Sequence, residues 1–106
     1  MSSKQSMIDF LIMQMKAAGN IRAKKMFGEY GIYCDEKIVA LVCDDQLFVK
    51  PTEVGKRFIG EILEGFPYPG AKPYFLILEE KWRDKNWLAE LIQLTAAALP
   101  PPKKKF

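Results

Sequence analysis

Apolar positions in this chain follow two periods, and the change between them falls near residue 20. Over residues 6–18, Ile8, Leu11, Ile12 and Met15 mark one stripe of an amphipathic helix, and Gly19-Asn20 supplies its stop. Ser6, with Asp9 three residues on, fits a capping box at its start. From residue 27 the pattern shortens: 27–34, 37–44 and 46–50 alternate too densely for helices and are separated by a few residues each. This predicts a three-stranded antiparallel meander. In its middle strand Ile38, Ala40 and Val42 are expected on one face, with Val39, Leu41 and Cys43 on the other. Both faces then need cover. Helices suit one; the other calls for helices, a loop or a second subunit, which raises a homodimer.

Thr52 is placed to cap a second helix over 53–64, with Val54, Phe58, Ile59 and Ile62 inward and Gly65 as its stop. Residues 66–73 form a stiff proline-rich loop in which Pro69-Gly70 suits the centre of a type II turn. A short strand over 74–78 follows as a fourth member of the sheet. Asp84 then caps a third helix over 85–98, with Leu88, Leu91, Ile92, Thr95 and Leu99 on its buried stripe, and Pro100-Pro101-Pro102 stops it. Trp87 is expected in the core and Trp82 over the start of that helix. The fold class is therefore α+β: an antiparallel β-meander of three strands plus a fourth, packed with about three helices. Residues 1–102 make one domain, and 103–106 a basic, disordered tail.

Composition changes this picture little, but the position of charge changes it more. The formal net charge is +3, from 16 basic and 13 acidic residues. Lys103, Lys104 and Lys105 account for all of it, so the body is formally neutral. Duplex binders carry a clustered basic footprint, which a neutral body does not suggest. Three tail lysines on phosphates would give binding that weakens roughly 40-fold between 50 and 200 mM salt. No apolar run approaches the ~20 residues of a membrane span, and no signal core follows the N-terminus, so a cytoplasmic location and no membrane partner are expected.

Catalytic chemistry has few candidates. The chain has no histidine, the commonest general base and metal ligand. A two-residue turn at Asp35-Glu36 would set Cys43 opposite Gly28, far from Cys34, so the two cysteines are expected as free thiols. Asp44-Asp45 and Glu79-Glu80 are adjacent acids, but neighbours on a strand or turn point apart, and solvated turn acids outweigh catalysis. Gly28 and Gly31 lack phosphate-loop spacing and read as packing or bulge positions. Tyr30 and Tyr33 fall on opposite faces and form no stacking platform. No enzyme activity, cofactor or metal is expected. Arg22, Lys24 and Lys25 form a compact basic cluster between helix and strand, either a contact for phosphate or an acidic partner, or a solvated linker. The loop with Phe66, Tyr68 and Tyr74 is either a recognition surface or a lid over the core. The candidate contacts for a protein partner or nucleic acid are thus Arg22, Lys24, Lys25, Tyr68, Lys72, Lys103, Lys104 and Lys105.

The run Met26-Phe27-Gly28-Glu29-Tyr30-Gly31-Ile32-Tyr33, followed by Ala40-Leu41-Val42, Asp45-Gln46-Leu47-Phe48-Val49-Lys50, the later Pro-Tyr segments and Trp82, resembles the N-terminal domain of the TfoX/Sxy competence regulators of bacteria. The resemblance spans about residues 24–99. Glu36 departs from it, standing where relatives often have a turn glycine. What the resemblance implies is a stand-alone copy of that module, linked to competence or transcription regulation, with no catalytic residues to carry over. In full-length members a C-terminal domain thought to look like a helix-hairpin-helix module follows, so DNA recognition is not implied for this part. The expected function is a small non-enzymatic regulatory module working through protein partners, with direct nucleic-acid binding through the basic cluster and tail as the alternative.

Overall fold

The computed structural model describes residues 5–26 and 29–100. Helix α1, Gln5–Met15, buries Ile8, Leu11 and Met15, and a 3-10 turn, Lys16–Ala18, leads out of it. Ser6 lies inside the helix, so the expected Ser6–Asp9 capping box is not formed; Asp9 instead accepts from the Gln5 side-chain amide at 2.9 Å. Among the described residues six strands follow the helical start: β1 Ile21–Met26, β2 Glu29–Cys34, β3 Lys37–Cys43, β4 Gln46–Val49, β5 Glu64–Gly65 and β6 Tyr74–Ile77. They form one antiparallel sheet in the order β1-β2-β3-β4-β6-β5. The α+β meander is as expected, but two strands beyond the expected four flank it.

Two hairpin turns built on acids hold the meander. Asp35 and Glu36 have φ of 51° and 71°, and Asp44 and Asp45 have φ of 53° and 61°. Positive φ at both central residues is the geometry whose twist matches the flanking strands. Glu36 adopts it without the glycine that the position favours.

The middle strand departs from simple alternation. Ile32 pairs with Ala40 but Tyr33 pairs with Ile38, leaving Val39 as an extra residue on β3. Its carbonyl accepts from the Lys50 amide at 2.8 Å. The bulge lets Val39 join Ala40 and Val42 in the core, while Ile38 stays on the outer face opposite Tyr33. Ile38 and Val39 thus exchange the faces assigned to them by alternation. The same one-residue shift alters the register expected for Cys43; its expected partner, Gly28, lies outside the described residues.

Helix α2, Glu53–Ile59, starts as expected, with Thr52 Oγ1 accepting from the Gly55 amide at 3.0 Å. It ends five residues before the expected 64, at Gly60, whose φ of 83° no helix continues through. Leu63 O then accepts from Leu76 N at 2.8 Å, and Gly65, expected to stop the helix, instead belongs to β5. A single turn, α3 Glu79–Trp82, precedes α4, Lys85–Ala98. For α4 the reading holds: Asp84 accepts from Trp87 N at 3.1 Å, and Leu88, Leu91, Ile92 and Thr95 are buried.

Helices α1, α2 and α4 cover the inner face of the sheet, where Ile32, Cys34, Val39, Val42, Leu47, Val49, Phe75 and Ile77 meet the helical stripes. Trp82, not Trp87, is the buried tryptophan. Its indole N–H donates to Ile77 O at 2.9 Å, and its carbonyl accepts from Gln14 Nε2 at 2.7 Å. Trp87 is half-buried, its ring 5.4 Å from Phe58 and 5.2 Å from Lys81 Nζ. Among the described residues no buried side-chain polar atom lacks a hydrogen bond.

Candidate interaction surface

Arg22, Lys24 and Lys25 lie on β1, an edge strand, and not in the linker expected between helix and strand. Side chains alternate along a strand, so the basic residues divide. Ile21 and Ala23 pack toward the core, which puts Lys25 on their side and Arg22 and Lys24 on the outer face. Arg22 is already engaged: its guanidinium donates to Glu36 at 2.6 Å and lies 5.5 Å from the centre of the Tyr33 ring. Lys24 and Lys25 are exposed. Opposite β1's Lys25, Tyr30 packs on the core and accepts no stacking role, in line with the expected division of Tyr30 and Tyr33 between faces.

The proline-rich loop sits at the far side of the sheet. Tyr68 O accepts from Ala71 N at 3.1 Å around Pro69-Gly70, and Gly70 has a φ of 86°, the expected type II turn. Pro67 is buried, whereas Phe66 is 65% and Tyr68 54% exposed. The loop folds over part of the outer face and makes an open groove of about 660 Å³ with Cys43, Asp44, Gln46 and Phe48. Pro67 and half-buried Tyr74 lie against the sheet, and Phe66 and Tyr68 face outward. Burial, with smaller contributions from Tyr68 and Cys43, raises the Tyr74 phenol above its ordinary pKa. Lys72 is exposed on the same loop.

The structure does not gather these candidates into one basic face. Along the outer row through Lys24, the next positions are Gly31, Leu41, Phe48 and Leu76, so apolar residues separate β1 from the loop that carries Lys72. Lys103, Lys104 and Lys105 lie outside the described residues.

The members of each adjacent acid pair point apart, as expected: Asp44 and Asp45 line different grooves, and so do Glu79 and Glu80. Asp45 and Glu79 line one open groove with Gln14, Trp82 and Arg83. Glu79 accepts there from Arg83 at 3.3 Å, an exposed pair one helical turn apart. Among the described residues no three His, Cys, Asp or Glu side chains cluster as metal ligands. Cys34 and Cys43 are free thiols, as expected. Burial, then the Asp35 charge, raises the Cys34 pKa; burial, then the Glu29 and Asp44 charges, raises that of Cys43. Both are held protonated, the reverse of what a nucleophilic cysteine needs.

The arrangement defines a small α+β domain with one helix-covered sheet face, an exposed basic edge strand and a loop presenting two aromatics. The chain belongs to the TfoX N-terminal domain family, whose pattern matches residues 13–99. It is similar to an uncharacterised 12.7 kDa protein in the trpE 5′ region of Spirochaeta aurantia, 39% identical over 108 residues that cover 99% of this chain and 90% of that protein. No helix among the described residues is long and apolar enough to cross a membrane.

Proposed function

We propose that this domain is a non-enzymatic regulatory module of the cytoplasm that acts through protein contacts, in competence or transcription control. Membership of the TfoX N-terminal domain family supports the regulatory part. The observation that carries the contact part is the 66–71 loop, where a closed turn and a buried proline hold Phe66 and Tyr68 out to solvent. Rigid exposed aromatics lose little entropy when a partner covers them, which is why such residues dominate binding energy at interfaces. Tyr68 and Lys72 are the contacts expected there.

The alternative is direct nucleic-acid binding through Arg22, Lys24, Lys25 and the lysine tail. The Arg22–Glu36 ion pair and the division of β1 charges between two faces weigh against it. Two measurements decide. A photo-crosslinking residue at Tyr68, used in the cells that make the protein, should trap a discrete protein partner, and Phe66→Ser should abolish the product. A salt titration of DNA binding should show loss of binding when the chain is truncated after Pro102. Saturable binding by the truncated chain at physiological salt would make the body a nucleic-acid module.

A further inference from the structure

Among the described residues β1 pairs with β2 alone and ends the sheet, which leaves its other edge open. The Asp35 amide donates to Asn20 O at 3.0 Å, which sets the phase of the ladder. Asn20 and Asp35 are a hydrogen-bonded pair, so by alternation Arg22 and Lys24 direct their backbone groups to β2. Ile21, Ala23 and Lys25 direct theirs away from the sheet. No proline interrupts β1, so each of these three offers both an amide and a carbonyl. The opposite edge of the sheet is the two-residue β5, too short to template a strand.

We infer that the open edge of β1 is the docking strand for an extended acidic segment of a partner protein, which adds to the sheet as a seventh strand. This rests on the reading that the domain works through protein contacts. Charge selects the occupant. A strand beside β1 would run next to Lys24 on the outer face, where Arg22 is already paired with Glu36, and next to Lys25 on the inner one, so acids beside the two lysines meet opposite charge. Beside Ile21 and Ala23, which pack toward the core, it would place apolar side chains. The pattern recognised is an alternation of carboxylates with small β-branched residues. A second copy is disfavoured by the same charges. Antiparallel pairing of two β1 strands about Ala23 sets Arg22 opposite Lys24, and like charges directly opposed destabilise a ladder. Basic residues on an edge thus repel self-association while accepting an acidic strand.

The test uses the full chain and a fluorescein-labelled peptide of alternating glutamate and valine, followed by anisotropy. The matched control carries N-methyl groups on every second backbone amide, on the side that would face β1, which keeps charge and removes strand pairing. Methylation should weaken binding about tenfold or more, the scale of one to two lost hydrogen bonds. Joint Lys24→Glu and Lys25→Glu should do the same. Ala23→Pro blocks an outward amide without touching the β2 ladder and should abolish binding while circular dichroism stays native. If that variant misfolds, the methylated peptide decides alone. Equal binding of the two peptides, or no binding of either, overturns the proposal. Displacement of the peptide by oligo(dT) as strongly as by unlabelled peptide also overturns it and assigns the edge to nucleic acid. Failure here with intact Tyr68 crosslinking rejects the edge only; loss of that crosslinking rejects the interaction reading itself.

Discussion

Lys37 joins the sheet to the end of the last helix through a contact that no local pattern supplies. It sits at the start of β3 and donates from Nζ to Ala96 O at 2.8 Å and Leu99 O at 3.2 Å, the open carbonyl end of α4. That helix has no basic residue in its own last turn. Lys37 therefore supplies from the sheet the positive charge that a helix C-terminus favours. Lys37→Met keeps the aliphatic stem and removes the ammonium. A hydrogen bond to a charged group contributes about 1.5–3 kcal/mol where buried, but Lys37 is only half-buried and its second bond is long. Solvent screening and water replacement at the freed carbonyls reduce the sum to about 1–2 kcal/mol, helix-dipole attraction included. At about 4–8 °C per kcal/mol for a domain of this size, Tm should fall by roughly 5–15 °C.

Urea unfolding followed by circular dichroism measures the loss. Lys37→Arg should recover part of it. Lys85→Met, in the first turn of the same helix, removes a charge that opposes the dipole and should leave stability unchanged or slightly raised. A Lys37→Met midpoint indistinguishable from wild type would refute the capping argument. An equal loss in Lys85→Met would show that general charge balance, and not this contact, sets the effect.

Three further outcomes follow from particular contacts. Gly65→Ala should cost about 1–3 kcal/mol, because its Cβ would stand 2.8 Å from Cε1 of the buried Phe48 ring; a thermal melt that matches wild type would mean that the ring moves aside freely. Asp84→Ala should cost about 1 kcal/mol by removing the α4 cap, with Asp84→Asn nearly neutral, and urea midpoints separate the two. The raised pKa values of Cys34 and Cys43 predict slow reaction with Ellman's reagent when folded and rapid reaction in denaturant. Since folding favours the protonated thiols, their stabilisation is complete below the unfolded thiol pKa of about 8.5 and is lost as pH rises through the folded values. A urea midpoint that climbs from pH 8 to 10 contradicts that sign.

The sequence carried some of this structure in its local chemistry. Asp84, the 3.6-residue stripe through Leu88, Leu91, Ile92 and Thr95, and the proline stop define α4 without tertiary help. Pro69-Gly70 does the same for the type II turn. The Val39 bulge has no such marker, because a run of apolar residues fits either face and the register shows only in the pairing of Ile32 with Ala40 and of Tyr33 with Ile38. Helix α2 was expected to run on because Ile62 continues its stripe, yet Leu63 O and residues 64–65 gain more by pairing with β6.

The least legible element, β1, changes the functional argument most. An edge strand buries one face and pairs on one side, so little apolar signal stands among its basic residues beyond Ile21 and Ala23 and the terminal Met26. Read as a linker, Arg22, Lys24 and Lys25 form a flexible cluster that can converge on one phosphate. On a strand the three cannot converge, because Lys25 is turned to the opposite face from Lys24 and Arg22 is paired with Glu36. A fixed ladder of charge on alternating sides is a poor fit to a point anion. It is a good fit to another strand, whose own side chains alternate with the same period.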